Sequence, residues 1–232
     1  VNSAEGPLRV TSLCETGRGG VAARQAGLTT TTRQVHRTVL RAFLATGQAP
    51  HRDDLVHPEG GDLAEAFSRL DEVDLVHLDD GCVAVAYPFS GVPTGHVVRL
   101  AGGAPVHAMC ALDALGIPLM TGRDGVIESA DPGDGRPVRV ERRGGTWYWS
   151  PEQTVILLAQ TRGCGPAADC LCPAIAFHWK RERAEAYLRS HPELTGLVLD
   201  QARAVEIAEW SFGPLLAGER GLDVSPRTEV RA

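Results

Sequence analysis

The hydrophobic period of the chain changes near residue 75, and this change constrains the fold more than any other feature. Before it, apolar side chains recur at helical spacing. Val35, Val39, Leu40 and Phe43 form one stripe, and Leu63, Ala66, Phe67 and Leu70 a second at i, i+3, i+4, i+7. The first helix is expected to be capped at Thr31 or Thr32 and stopped at Gly47, with Pro50 and Asp53-Asp54 opening the next turn. After the change, Leu75-Val76-His77-Leu78 and Val83-Ala84-Val85-Ala86-Tyr87 flank Asp79-Asp80-Gly81. An Asp-Gly step between two apolar runs favours a tight β-hairpin turn. Helices followed by a hairpin outline a small winged-helix-like domain over residues 31–86.

The stretch Tyr87-Pro88-Phe89-Ser90-Gly91-Val92-Pro93-Thr94 reads as a linker by its Pro and Gly content. Beyond it the chain is strand-rich. The candidate strands are His96–Leu100, Val126–Ser129, Val138–Glu141, Gln153–Ala159 and Gly196–Leu199, with a turn at residues 131–135. A short helix at Cys110–Leu115 and a charged helix around Lys180–Ser190 fall between them. A final helix, Ala202–Phe212, gathers Ala204, Ile207, Ala208 and Trp210 near one side. Strands with scattered helices and no βαβ repeat predict an α+β fold, with the winged-helix-like helical domain followed by a strand-rich α+β domain over residues 87–232. Residues 1–30, rich in Gly, Ala and Thr, read as a flexible lead-in.

A formal net charge of −6 without a basic block gives no electrostatic footprint for nucleic acid. Arg33, Arg37 and Arg41 lie on the first helix, but the second carries Asp62, Glu65, Asp71 and Glu72. The opening residues lack the pattern of a secretion signal, and the apolar run Thr154–Ala159 is too short to span a bilayer. A cytoplasmic protein is expected, in which the six cysteines stay reduced.

Two of those cysteines carry the chemistry. Cys110 stands three residues before Asp113 in a helical stretch, so sulfur and carboxylate share one face. An acid inside Met109-Cys110-Ala111-Leu112-Asp113-Ala114-Leu115 interrupts an apolar run, and burying it uncompensated costs several kcal/mol. Cys164, Cys170 and Cys172 cluster in a turn-rich loop with His178 six residues on. A structural zinc site is one reading of that cluster, though paired C-x(2–4)-C units are absent. A Cys–His hydrolase using His96 or His107 as base is another, without an identifiable orienting residue. A metal-sensing winged-helix regulator, with the arginines of the first helix on DNA, is the alternative to an enzyme. Cys14 and Cys82 read as incidental.

The stretch from Tyr87-Pro88-Phe89-Ser90 through Thr94-x-His96 to Ala108-Met109-Cys110-Ala111-Leu112-Asp113-Ala114-Leu115-Gly116 continues to Asp131-Pro132, Trp149-Ser150-Pro151-Glu152 and Cys172-Pro173. In that order and at those distances it resembles the catalytic region of the alkylmercury lyases (organomercurial lyases). The likeness is good over residues 85–180 and looser over 33–75, through Val39-Leu40-Arg41-Ala42-Phe43-Leu44-Ala45-Thr46-Gly47.

The resemblance implies a carbon–mercury bond lyase with Cys110 and Cys172 as mercury-binding thiols and Asp113 as the proton-transferring acid. Many members have adjacent cysteines in the loop where this chain has Cys170-Leu171-Cys172; Cys172, directly before Pro173, is matched to the second cysteine, and Cys170 is left as an accessory thiol or a handoff ligand. A structural cysteine of some members falls near Asp131 and is missing here. No cofactor or resident metal is implied. The implied partners are an organomercury substrate, low-molecular-weight thiols, and a mercuric reductase as acceptor of Hg(II), with no nucleic acid and no membrane. Soft thiolates are the ligands a soft organomercury cation prefers.

Overall fold

The computed structural model describes residues 20–57, 60–161 and 166–217. The chain begins with helix α1 (Val21–Ala26), where the sequence suggests only lead-in; Val21 and Gln25 are buried. The first nineteen residues, with Cys14, lie outside the described residues. Helix α2 (Thr30–Thr46) starts a little earlier than expected because Thr29 is its cap, accepting the Thr32 N–H. It ends where expected, at Gly47 with φ 74°, a left-handed conformation suited to glycine. Helix α3 (Leu63–Glu72) is capped by Asp62 and buries Ala66, Phe67 and Leu70. Strands β1 (Val76–Asp79) and β2 (Cys82–Ala86) form the expected hairpin. Its central residues Asp80 and Gly81 both have positive φ, as a hairpin turn matched to the strand twist requires.

Residues 87–94 are not a linker. Tyr87 and Phe89 are buried, and Phe89, in strand β3 (Phe89–Ser90), stacks on Phe43 of α2 with ring centroids 5.0 Å apart. The Pro and Gly content misleads because the aromatic residues between them contribute apolar area to the core. One apolar core therefore runs from α2 and α3 into the strands that follow. These are β4 (Val97–Leu100), β5 (Pro105–Ala108), β6 (Gly125–Ala130), β7 (Pro137–Arg143) and β8 (Thr146–Ser150). With the hairpin and β3 they form an eight-stranded antiparallel sheet in the order β1-β2-β3-β5-β4-β6-β7-β8.

Helix α4 (Ala111–Thr121) follows β5 directly and is buried nearly all round, as a helix without a polar face must be. A second sheet has β9 (Val155–Thr161) between β10 (Ala176–His178) and β11 (Leu194–Leu199), all antiparallel. Short helix α5 (Ala167–Cys170) and the 3₁₀ turn Cys172–Ala174 link β9 to β10. Helices α6 (Arg181–Ser190) and α7 (Gln201–Phe212) complete the fold. Helix α7 packs along α4, where a Cβ on Gly116 would overlap the Phe212 ring. Ala204, Ile207 and Ala208 of α7 face inward as expected, but Trp210 is half-exposed. It lies against Gly20, at the edge of the apolar stripe.

Candidate active site

Cys110 is the N-cap of α4, and its sulfur accepts the Asp113 N–H at 3.5 Å. The cap conformation turns the sulfur back over the first helical turn, where Asp113 lies. The Cys110 thiol donates to Asp113 Oδ2 at 2.7 Å. The turn carrying Cys172 is locked to this spot by the Ala111 N–H, which donates to the carbonyl of Ile175 at 3.1 Å. The Cys172 thiol donates to the same Asp113 oxygen at 3.8 Å. The three ligand atoms lie within 4.8 Å of one another, and all three residues are buried. Among the described residues, this is the group of Cys, His and acidic side chains placed to hold one metal ion.

Burial dominates the electrostatics. It pushes Asp113 up to about 7, against the hydrogen bonds from Cys110 and Cys172 and the charge of Arg24. Burial also holds Cys110 well above the ordinary thiol value, with Cys172 and the Asp113 charge acting the same way. At Cys172 the hydrogen bond with Cys110 lowers the value most, but burial and the Asp113 charge outweigh it and the net direction is up. The free site is thus two protonated thiols around one carboxyl that exchanges its proton near neutral pH. Such an arrangement offers a soft cation its preferred ligands, with a proton acceptor in hydrogen-bond reach of both thiols.

The donors face two cavities. A chamber of about 80 Å³ is lined by Cys110, Asp113 and Cys172 together with Arg24, Asp74 and Tyr87. A second cavity, of about 410 Å³, is lined by Cys172 but not by Cys110 or Asp113. Arg24, Asp74 and Tyr87 were not legible as site residues in the sequence. Arg24 lies in the apparent lead-in and gives no signal. Asp74, an acid directly before an apolar strand, gives a weak one.

The other cysteines stand apart. Cys170 is buried, and its thiol donates to the carbonyl of Pro166 at 3.1 Å, within its own short helix. Cys82 is exposed on the hairpin, and Cys164 lies outside the described residues. A zinc site with His178 finds no support, since His178 packs against Asp131, 3.4 Å from its Oδ1. For a hydrolase, His96 bonds Ser129 Oγ at 2.9 Å and His107 Nδ1 accepts the Thr94 N–H at 3.1 Å. Both rings are turned to structural partners. The regulator reading loses ground as well. Arg33 donates to the carbonyls of Ala26 and Leu28, and Arg37 to those of Leu215 and Ala217.

Two buried thiols around one carboxyl, on a mixed α+β scaffold, form a donor set of the kind a soft metal ion prefers. The chain belongs to the alkylmercury lyase family, whose model (MerB: Alkylmercury lyase) matches residues 89–213. It is 27% identical to an alkylmercury lyase of Staphylococcus epidermidis over 164 residues, 70% of this chain and 76% of the relative. An alkylmercury lyase of Bacillus cereus is 26% identical over 169 residues, 72% of this chain and 76% of that protein. The fold is also that of the mercury-bound form of MerB2, with a TM-score of 0.69 and 23% identity, covering 85% of this chain and 97% of that one.

Proposed function

We propose that this protein is an organomercurial lyase, which cleaves the carbon–mercury bond of alkyl- and arylmercury compounds by protonolysis and releases hydrocarbon and Hg(II). The observation that carries the proposal is the shared oxygen: Asp113 Oδ2 takes a hydrogen bond from Cys110 at 2.7 Å and from Cys172 at 3.8 Å. An organomercury–thiol adduct first exchanges onto Cys110. The Cys110 proton leaves with the displaced thiol as the new Hg–S bond forms. Cys172 then adds its sulfur to mercury and passes its proton to Asp113. Two thiolates raise electron density on the mercury-bound carbon, which takes the proton from Asp113 as the C–Hg bond breaks. Hydrocarbon departs, Hg(II) remains on Cys110 and Cys172, and Asp113 is again a carboxylate. Atoms and charge balance without a redox step, and both thiols lie within hydrogen-bond reach of the acid that takes up and returns the proton.

Turnover needs thiols to lift the Hg(II) product, and a mercuric reductase is the natural acceptor downstream. The cytosol, where both thiols stay reduced, suits this chemistry. No helix among the described residues is long and apolar enough to cross a membrane. The proposal is tested by incubating purified protein with phenylmercury or methylmercury and excess thiol. Benzene or methane well above the thiol-only background is expected, and its absence overturns the assignment.

A further inference from the structure

We propose that the larger cavity is a docking site for a low-molecular-weight thiol, which removes Hg(II) through Cys172 while the small chamber holds the reacting carbon. The inference rests on the lyase reading above and concerns the route of product release.

Two residues, Cys172 and Ile175, line both cavities. Ile175 is apolar and its carbonyl holds the Ala111 N–H, so Cys172 is the one mercury donor presented to the larger space. Of the two cavities, Cys110 and Asp113 line the chamber of about 80 Å³. That volume is of the size of a mercury atom with a small organic group. The larger cavity, about 410 Å³, falls within the range of about 300–1,000 Å³ typical of small-molecule sites. Its rim includes the exposed residues Gly95, Ala130 and Pro132, so it meets solvent. Its wall mixes the polar His96, Ser129 and Thr94 with the apolar Met109, Ile175 and Pro173, a lining fit for a small amphipathic thiol rather than a bare hydrocarbon.

The exchange balances. The incoming thiol forms a Hg–S bond as the Hg–S bond to Cys172 breaks, and its proton passes to the released Cys172 sulfur. Mercury stays Hg(II), bound to Cys110 and the new thiol. A second thiol entering by the same cavity adds to this mercury as the Hg–S bond to Cys110 breaks, its proton passes to the released Cys110 sulfur, and Hg(II) leaves as the bis-thiolate. Cys110 is released last because, of the two thiols, Cys172 is the one that lines the larger cavity.

The route can be blocked without touching the donors. A Cβ at Gly95 would meet nothing within 4 Å, so Gly95→Trp extends from the rim without a backbone clash. Ala130→Trp does the same from β6, where Ala130 is exposed. Each variant and the parent are loaded with one equivalent of mercuric chloride, and transfer of mercury to glutathione and to 2-mercaptoethanol is followed. At least tenfold slower transfer to glutathione is expected in both variants, with a smaller effect for 2-mercaptoethanol. Single-turnover methane release from methylmercury should match the parent. Unchanged mercury transfer in both variants overturns the proposal. So does an equal slowing of methane release and mercury transfer, because the cavity would then be the route of the organomercurial. If the parent makes no methane, the lyase reading fails while the mercury-transfer arm still reports on the cavity.

Discussion

Arg24 on α1 donates from Nη1 to both the backbone carbonyl and the carboxylate of Asp74, each at 2.7 Å, and so ties the first helix to the wall of the chamber lined by Cys110, Asp113 and Cys172. Asp74 also meets His77 Nε2 at 2.7 Å and accepts the Ala167 N–H, which brings α5 into the same knot. The hydrogen bond to His77 and the charge of Arg24 hold Asp74 below the usual carboxylate value despite burial, while the hydrogen bond to Asp74 holds His77 above the usual imidazole value. The Asp74 contribution to stability is therefore full above pH 3.8 and lost as pH falls through its depressed value. The His77 contribution is full below pH 6.5 and lost as pH rises through its raised value. Arg24→Met should destabilise the protein at neutral pH. The loss should fall short of the roughly 3–5 kcal/mol of an orphaned buried charge, because Asp74 keeps its other partners. Thermal melts from pH 3 to 8 would check this, and a deficit that fails to narrow at the acid end would contradict the assignment.

Asp113 is a group that burial keeps protonated to about pH 7, against 3.8 in an open chain. Its cost to folding grows as pH rises between those values and is absent below them. Asp113→Asn should therefore melt higher than the parent at pH 8, with a gain bounded by about 4 kcal/mol and vanishing near pH 4. The same variant should retain methylmercury and release no methane. A variant that cleaves normally would remove Asp113 from the proton path.

The two loop thiols should separate cleanly. Cys172→Ser replaces a soft donor with a hard one and should abolish cleavage while methylmercury still binds through Cys110. Cys170→Ser preserves a donor to Pro166 and should turn over within about twofold of the parent, since a single neutral hydrogen bond contributes only about 1 kcal/mol. Paired assays of mercury binding and hydrocarbon release on both variants decide the matter, and a dead Cys170→Ser with an active Cys172→Ser would reverse it.

Gly116 shows packing overriding propensity. Alanine is the better helix former by about 1 kcal/mol, yet a Cβ there would run into the Phe212 ring. Gly116→Ala should lose about 1–3 kcal/mol, measured by urea denaturation, and Phe212→Leu in the same chain should restore part of it. Because Phe212 also lines the chamber, the single variant should slow single-turnover cleavage too.

Much of this was legible in the sequence, for reasons that differ from place to place. Caps, glycine stops and the Asp-Gly turn are local chemistry, so α2, α3 and the hairpin fall where the residues put them, within a residue or two. The Cys110–Asp113 pair was legible because one helical turn positions both. Strand β5, by contrast, begins at Pro105 and is too short to show a period, and β8 reads as an aromatic cluster until its pairing with β7 is known. The burial of Tyr87 and Phe89 depends on α2 arriving from far along the chain. Arg24 joins the chamber only through tertiary contacts, which no local pattern encodes.

The lock between Ala111 and Ile175 places two sulfurs side by side that are far apart along the chain. When both grip one mercuric ion, the ion becomes a cross-link, closing a long loop as a disulfide does but through a metal. The product complex should be the most heat-resistant form of the protein, and the thiol that takes the ion also unfastens the molecule. On the proposed mechanism, release therefore removes a cross-link from the protein as well as an ion from its site.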